Sequence, residues 1–217
     1  MSWTLMDKCC PKCWHNPPSN PCPKYIECRI KGPLCHDSSE CRELRARRLN
    51  ELMFGRHGIK VRVALASCTL AVGAADVYYA VQEFVRESGL AVDVDIVGCH
   101  GLDFIDPWIE VVKKGLPPAI YANVNPEEVS NIVSSYLSGD VSKAFAIKYR
   151  TGTAEGEFLV PTLNELEFWR KQVRLVGRNC GIINPESIEE YVARGGYLGL
   201  VRAIKKSPDE VIEEIRL

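Results

Sequence analysis

From Lys60 to about residue 137 the spacing of apolar residues switches between two and 3.6, and few folds tolerate that pattern. Lys60–Ala66 (KVRVALA) alternates as a half-buried strand does. Val77, Ala80, Val81, Phe84 and Val85 then recur at helical spacing, giving an amphipathic helix that Gly89 ends. Ala91–Val97 (AVDVDIV) alternates again. Trp108–Val112 and Ala119–Val124 read as two further strands, with Gly115-Leu-Pro-Pro as the turn between them. A second helix has a clear start, with Asn125 as cap, Pro126 in the first turn and Glu128 three residues after the cap. Its apolar stripe is Val129, Ile132, Val133, Tyr136 and Leu137.

The order β-α-β-β-β-α matches a thioredoxin-like domain, so the expected fold class is α/β. A βαβ opening, a hairpin and a closing helix cover a small mixed sheet compactly. The expected divisions are a cysteine-rich segment with a connecting helix (1–58), the thioredoxin-like domain (59–140), a linker (141–162) and a helical C-terminal segment (163–217). The connecting helix is placed at about 39–54, closed by Gly55 and Gly58. The linker is read as irregular because RTGTAEGE is polar and glycine-rich. In the last segment Asn184-Pro185 and Ser207-Pro208 each place a capping residue before a proline. Gly195-Gly196 reads as a helix stop.

Seven of the ten cysteines, Cys9, Cys10, Cys13, Cys22, Cys28, Cys35 and Cys41, fall in the proline-rich first segment, with His15 and His36 among them. A bound metal lets a small, core-poor segment of this kind fold. These donors exceed the four that one tetrahedral zinc needs, and they would also serve an iron–sulfur cluster held by four cysteines. Zinc and iron–sulfur both stay open, beside a reduced or disulfide-stapled tail. A basic run, Arg42, Arg45, Arg47 and Arg48, reads as a solvated helix face. The net charge of −1 gives no pointer to nucleic acid or to a membrane surface. No apolar run approaches the roughly 18 residues that span a bilayer. MSWTLMDKCC has no apolar core of the kind a secretory signal carries, so the expectation is a cytoplasmic, reduced protein.

Two loops carry a resemblance. Ser67-Cys68-Thr-Leu-Ala-Val-Gly73-Ala74 follows the first strand, and Gly98-Cys99-His100-Gly101-Leu102-Asp103 follows the second. They resemble the ligand loops of the thioredoxin-like [2Fe–2S] ferredoxin domain, in which the first loop looks like C-G-I-A-A-G-A and the second like G-C-x-G-x-C. Cys68 and Cys99 occupy two ligand positions, and Asp103 stands where the family's last cysteine would be. Such a cluster wants four thiolates, and oxygen is a poor replacement. The domain is therefore expected to keep the fold and to have lost its cluster, with Cys68, Cys99 and Asp103 as degenerate positions. His100 reads as a loop residue.

A second resemblance lies at 163–217. Phe168-Trp169-Arg-Lys-Gln-Val-Arg-Leu-Val-Gly-Arg178-Asn179-Cys180-Gly181, then Asn184-Pro185-Glu186-Ser187 and Tyr191, look like the segment that opens the flavin domain in the NADH-binding flavoprotein subunit of complex I-like NADH dehydrogenases and bifurcating NAD-linked hydrogenases. It implies an N-terminal module of an NADH:acceptor oxidoreductase serving electron relay, subunit docking or both. FMN and NADH are implied for the parent complex and not for this chain, which stops before the family's glycine-rich flavin loop. A separate chain carrying the flavin domain is an implied partner. Cys180 reads as a packing residue, and no residue is assigned a catalytic role. The alternative is a metal-stapled interaction module without redox activity. A stand-alone thiol oxidoreductase finds no support, because the chain's thioredoxin-like region has no C-x-x-C.

Overall fold

The computed structural model describes residues 50–193, 196–204 and 206–216. Met53–Pro185 forms one compact unit, and Glu186–Leu217 falls in another. The first unit contains β1 (Ile59–Ala64), a short helix α1 (Ser67–Leu70), α2 (Ala74–Ser88), β2 (Asp93–Val97), β3 (Ile109–Lys113), β4 (Ala119–Tyr121), α3 (Val129–Ser138), β5 (Ala146–Ile147) and α4 (Glu167–Arg170). The five strands lie in the order β2-β1-β3-β4-β5. β1 pairs parallel with β2 and antiparallel with β3, and the β3–β4 and β4–β5 pairs are antiparallel. This is a mixed α/β sheet with the expected thioredoxin-like connectivity, extended by one strand. Residues 50–54, the described end of the connecting helix, are helical.

Pleating sends alternate residues of each strand to opposite faces. On one face Val61, Val63, Ile109, Val111, Ala119, Tyr121 and Ile147 are buried under Val77 and Val81 of α2 and Val129, Val133 and Tyr136 of α3. Each fully buried valine contributes about 1.5–3 kcal/mol. Tyr136 is buried with its hydroxyl satisfied: it accepts the Lys113 N–H (3.0 Å) and donates to the Pro117 carbonyl (3.1 Å). Gly89 ends α2 in the left-handed region at φ 64°, where glycine is favoured. The Asn125 N–H donates to the Glu128 carboxylate (3.1 Å), as the capping pattern anticipates.

The opposite face holds Ala64, Val97, Leu102, Ile105, Trp108, Ile120, Ala146 and Leu163. It also carries charge. Arg62 reaches Glu110 on the neighbouring strand (3.2 Å), and Lys148 reaches the other Glu110 oxygen (2.7 Å). Lys60 pairs with Asp95 of β2 (3.2 Å). The polar half of the KVRVALA alternation is thus buried as an ion row.

Two sequence expectations differ from the structure. Residues 141–162, expected as an irregular linker, add β5 to the sheet and bury Val141 and Val160 in the core. The polar run there folds around Glu157, which is fully buried and accepts the N–H groups of Thr151, Gly152 (2.9 Å), Thr153 (3.1 Å) and Ala154 (3.3 Å). Asn184 does not cap a helix; it donates to Asp95 (2.6 Å). In the second unit, α5 (Ile188–Ala193) is preceded by Ser187, whose hydroxyl accepts the Glu190 N–H (3.2 Å). α6 (Leu198–Ala203) and α7 (Pro208–Arg216) follow. Ser207 caps α7 as expected, donating its N–H to Glu210 (2.8 Å) and accepting the Glu210 N–H (3.3 Å). Among the described residues no helix is long and apolar enough to cross a membrane.

Burial alone would push the Glu110 carboxyl up, but the Lys148 and Arg62 charges outweigh it and hold it at about 2. Breaking such a buried pair from one side costs about 3–5 kcal/mol, so Glu110→Gln should lower stability by that order in urea titrations at pH 7. The folded pKa lies below the unfolded carboxylate value of about 4.3. The gap between wild type and Glu110→Gln should therefore be complete above that pH and close as pH falls towards about 2.

Candidate metal centre

β1 and β2 run parallel and end on the same edge of the sheet, where antiparallel β3 begins. The connection after β1 and the one between β2 and β3 meet there. Cys68 is the second residue of α1, whose opening turn is pinned by Thr69. The buried Thr69 hydroxyl accepts the Ala66 N–H (2.8 Å) and donates to the Ala66 carbonyl (3.0 Å). Cys99 lies two residues past β2. Asp103 opens a 3-10 turn, Asp103–Ile105, anchored by the buried Leu102 and Ile105. Asp106 follows that turn and joins Pro107 through a cis peptide bond just ahead of β3. The Asn123 N–H to Ile105 carbonyl bond (2.8 Å) and the Val124 N–H to Pro107 carbonyl bond (2.9 Å) fasten this loop to the end of β4.

One donor atom from each of Cys68, Cys99, Asp103 and Asp106 lies within 4.8 Å of the others. The Cys99 sulfur is 3.6 Å from Asp103 Oδ1 and 4.0 Å from Asp106 Oδ2. Both cysteines are free and half-buried. Gly101, at φ 79°, turns its N–H back onto the Cys99 sulfur at 3.1 Å. Burial pushes the Cys99 thiol up to about 12, against the pull of that N–H, and Cys68 and Asp106 add to the rise. Burial also raises the Asp106 carboxyl; the Cys68 thiol works against this and the Asp103 charge with it. Without a cation Cys99 stays a thiol at neutral pH, and disulfide exchange needs a thiolate. The four groups form a compact, anion-forming donor set.

The structure brings the expected Cys68, Cys99 and Asp103 together and adds Asp106, which the sequence reading missed. Its signal was the three-residue spacing from Asp103 in front of a proline. His100 takes no part. It is 3% exposed, stacked on Trp108 (ring centroids 4.0 Å apart) and edge-on to Trp169 (5.5 Å). Burial first, and the Lys148 charge second, lower its pKa to about 3, so it is a loop residue, as expected, but a buried and neutral one. Cys180, expected to pack, is exposed; its neighbour Gly181 is the buried residue. Cys9, Cys10, Cys13, Cys22, Cys28, Cys35 and Cys41, with His15, His36, the Arg42–Arg48 run and Gly195, lie outside the described residues.

A [2Fe–2S] cluster with its usual ligands takes four thiolates. The tetrad offers two thiols and two carboxylates, and carboxylate oxygen is too hard a donor to replace thiolate well. The donor set therefore does not fit that cluster.

Fold and site together define a thioredoxin-like α/β domain with a cysteine–aspartate centre at the end of its parallel strands. No family model matches the chain. It is 45% identical over 47 residues to the NADP-reducing hydrogenase subunit HndC of Solidesulfovibrio fructosivorans, a stretch covering 22% of this chain. The chain thus spans only 10% of that relative's length. Among solved structures, the thioredoxin-like [2Fe–2S] ferredoxin of Aquifex aeolicus is 20% identical, with 44% of this chain and 96% of that chain covered at a TM-score of 0.35. A cysteine-to-serine variant of that ferredoxin, at 20% identity, covers 37% of this chain and 88% of its own at a TM-score of 0.33. At such scores the fold assignment stands on strand order and connections alone.

A Cβ at Gly181, where φ is 70°, would lie 2.0 Å from His100 Cδ2. Gly152 has φ 73° with nothing within 4 Å, so it carries the backbone cost without the clash. Gly181→Ala should destabilise by about 1–3 kcal/mol more than Gly152→Ala, with the near-ultraviolet dichroism of Trp108 and Trp169 weakened only in the former. Equal losses in the two variants would remove Gly181 from the packing of His100.

Proposed function

We propose that the chain is the N-terminal module of a flavoprotein-type subunit in an NADH:acceptor oxidoreductase of the hydrogenase or NADH dehydrogenase class. The observation that carries this reading is the convergence of Cys68 and Cys99, with two carboxylates, at the edge of a thioredoxin-like sheet. The 47-residue likeness to a hydrogenase subunit supports it from a separate direction. The module docks neighbouring subunits, including a chain that supplies the FMN and NADH site. It relays electrons through an iron–sulfur centre held among Cys9, Cys10, Cys13, Cys22, Cys28, Cys35 and Cys41, since four thiolates of such a set meet a cluster's demand. When bound, that cluster supplies one-electron transfer. The chain's own residues position it and hold it near the flavin partner. The compartment is cytoplasmic, where the thiols stay reduced.

A second reading, a metal-stapled docking module without redox activity, is favoured by one observation. Asp103 and Asp106 stand beside only two thiols, and this set suits a redox-inert ion. The two readings separate on anaerobic purification of the full chain, followed by its visible spectrum and its iron, sulfide and zinc content. Iron with sulfide and a visible band, bleached by dithionite and lost in Cys10→Ser or Cys13→Ser, is the expected result. A colourless chain holding zinc alone would leave docking as the whole of its function.

A further inference from the structure

The tetrad at the end of β1 and β2 is more than a cluster site with two ligands missing. We propose that Cys68, Cys99, Asp103 and Asp106 bind one divalent cation of the zinc class in a four-coordinate S2O2 site, in place of a two-iron cluster. The inference rests on the metal-bearing module above but not on its N-terminal cysteines.

Three observations carry it. The first is size. Metal bonds of about 2.0–2.3 Å in a tetrahedron give donor–donor edges of about 3.3–3.8 Å. Cys99 already lies 3.6 Å from Asp103 and 4.0 Å from Asp106, and all four donors fit within 4.8 Å, so small side-chain rotations close the shell around one ion. The second is a missing partner. Asp106 is only 9% exposed, yet its Oδ1 has no hydrogen-bond partner, and a buried carboxylate oxygen left bare is uncommon in a folded protein. Among the described residues no lysine, arginine or histidine pairs with Asp103 or Asp106. Oδ2 is the oxygen that faces Cys99, and rotation of the Asp106 carboxylate would offer the bare Oδ1 to a cation bound among the four donors. The third is the Gly101 N–H aimed at the Cys99 sulfur, the kind of surrounding bond that orients a metal-bound thiolate. The donor types decide the metal: thiolate favours zinc over magnesium or calcium, and zinc accepts carboxylate beside it in a tetrahedron. On loading, the two thiols release their protons to solvent.

The test uses the full chain, loaded with Zn2+ or with Co2+ as a coloured substitute. Wild type should hold one more ion per chain than Cys68→Ala/Cys99→Ala. The Co2+ difference spectrum between them should show sulfur-to-cobalt charge transfer and tetrahedral visible bands. Asp106→Asn preserves side-chain shape and should weaken binding at least about tenfold in chelator competition, since even residues that only orient ligands cost 10–100-fold. The exposed Asp76→Asn should change nothing. Equal metal in wild type and the double variant overturns the proposal. So does a wild-type excess made of paired iron with sulfide. Cys10→Ser and Cys13→Ser empty only the N-terminal centre and leave this difference intact, so the two readings fail separately.

Discussion

β1 is the strand on which both the core and the centre depend. It pairs parallel with β2 on one side and antiparallel with β3 on the other, so the carboxyl ends of β1 and β2 and the amino end of β3 share one edge of the sheet. The parallel pairing needs a crossover, which α2 provides by packing Val77 and Val81 onto Val61 and Val63. The antiparallel pairing brings the chain back with Asp103 and Asp106 already in place. A centre assembled from two connections, the one after β1 and the one between β2 and β3, needs no long-range coincidence beyond this one strand order. The alternation of Val61 and Val63 with Lys60 and Arg62 fixes its register, because a slip by one residue would send the ion row into the valine core.

The ion row gives the second face its character. Arg62, Glu110 and Lys148 sit where an apolar residue would ordinarily cover a sheet, and Glu110 is fully buried between the two cations. Such a row adds little net stability over an apolar substitute, but once formed it is costly to break from one side. It is bordered by Trp108, which leads into β3, and by His100 on Trp108, with Trp169 and Gly181 closing over the ring. The Cys180-Gly181 segment therefore packs on the thioredoxin-like sheet through His100, immediately beside Cys99. Segments that the sequence assigns to separate domains share one core here.

Periodic elements were legible in the sequence because their signals are local. The alternation of β1, the stripe of α2, the Asn125-Pro126-Glu128 start and the left-handed stop at Gly89 each depend on neighbours within a few residues. The meeting of Cys68 with Cys99 followed from the parallel βαβ order. What escaped depended on distant partners. Residues 141–162 look like a linker by composition, yet their polarity serves the buried Glu157, and β5 forms because β4 offers it an edge. Asn184 resembles a cap but is claimed by Asp95, 89 positions away in sequence. The burial of His100 in its loop escaped because Trp108 and Trp169, which cover it, lie further along the chain. Asp106 was invisible for the same reason: its burial, and not its identity, makes it a candidate ligand.

The composition of the centre bears on what the site can hold. Two thiolates and two carboxylates around a divalent cation give an assembly with net negative charge at a half-buried edge. Zinc in that setting, having no accessible second oxidation state, would pass no electrons. Such an ion would tie the Cys68 and Cys99 loops together beside Phe104, 60% exposed, and Phe168, 53% exposed and edge-on to it at 5.9 Å. The strand order sets where the four donors meet, and the donor atoms, two sulfurs and two carboxylates, decide which ions the site suits.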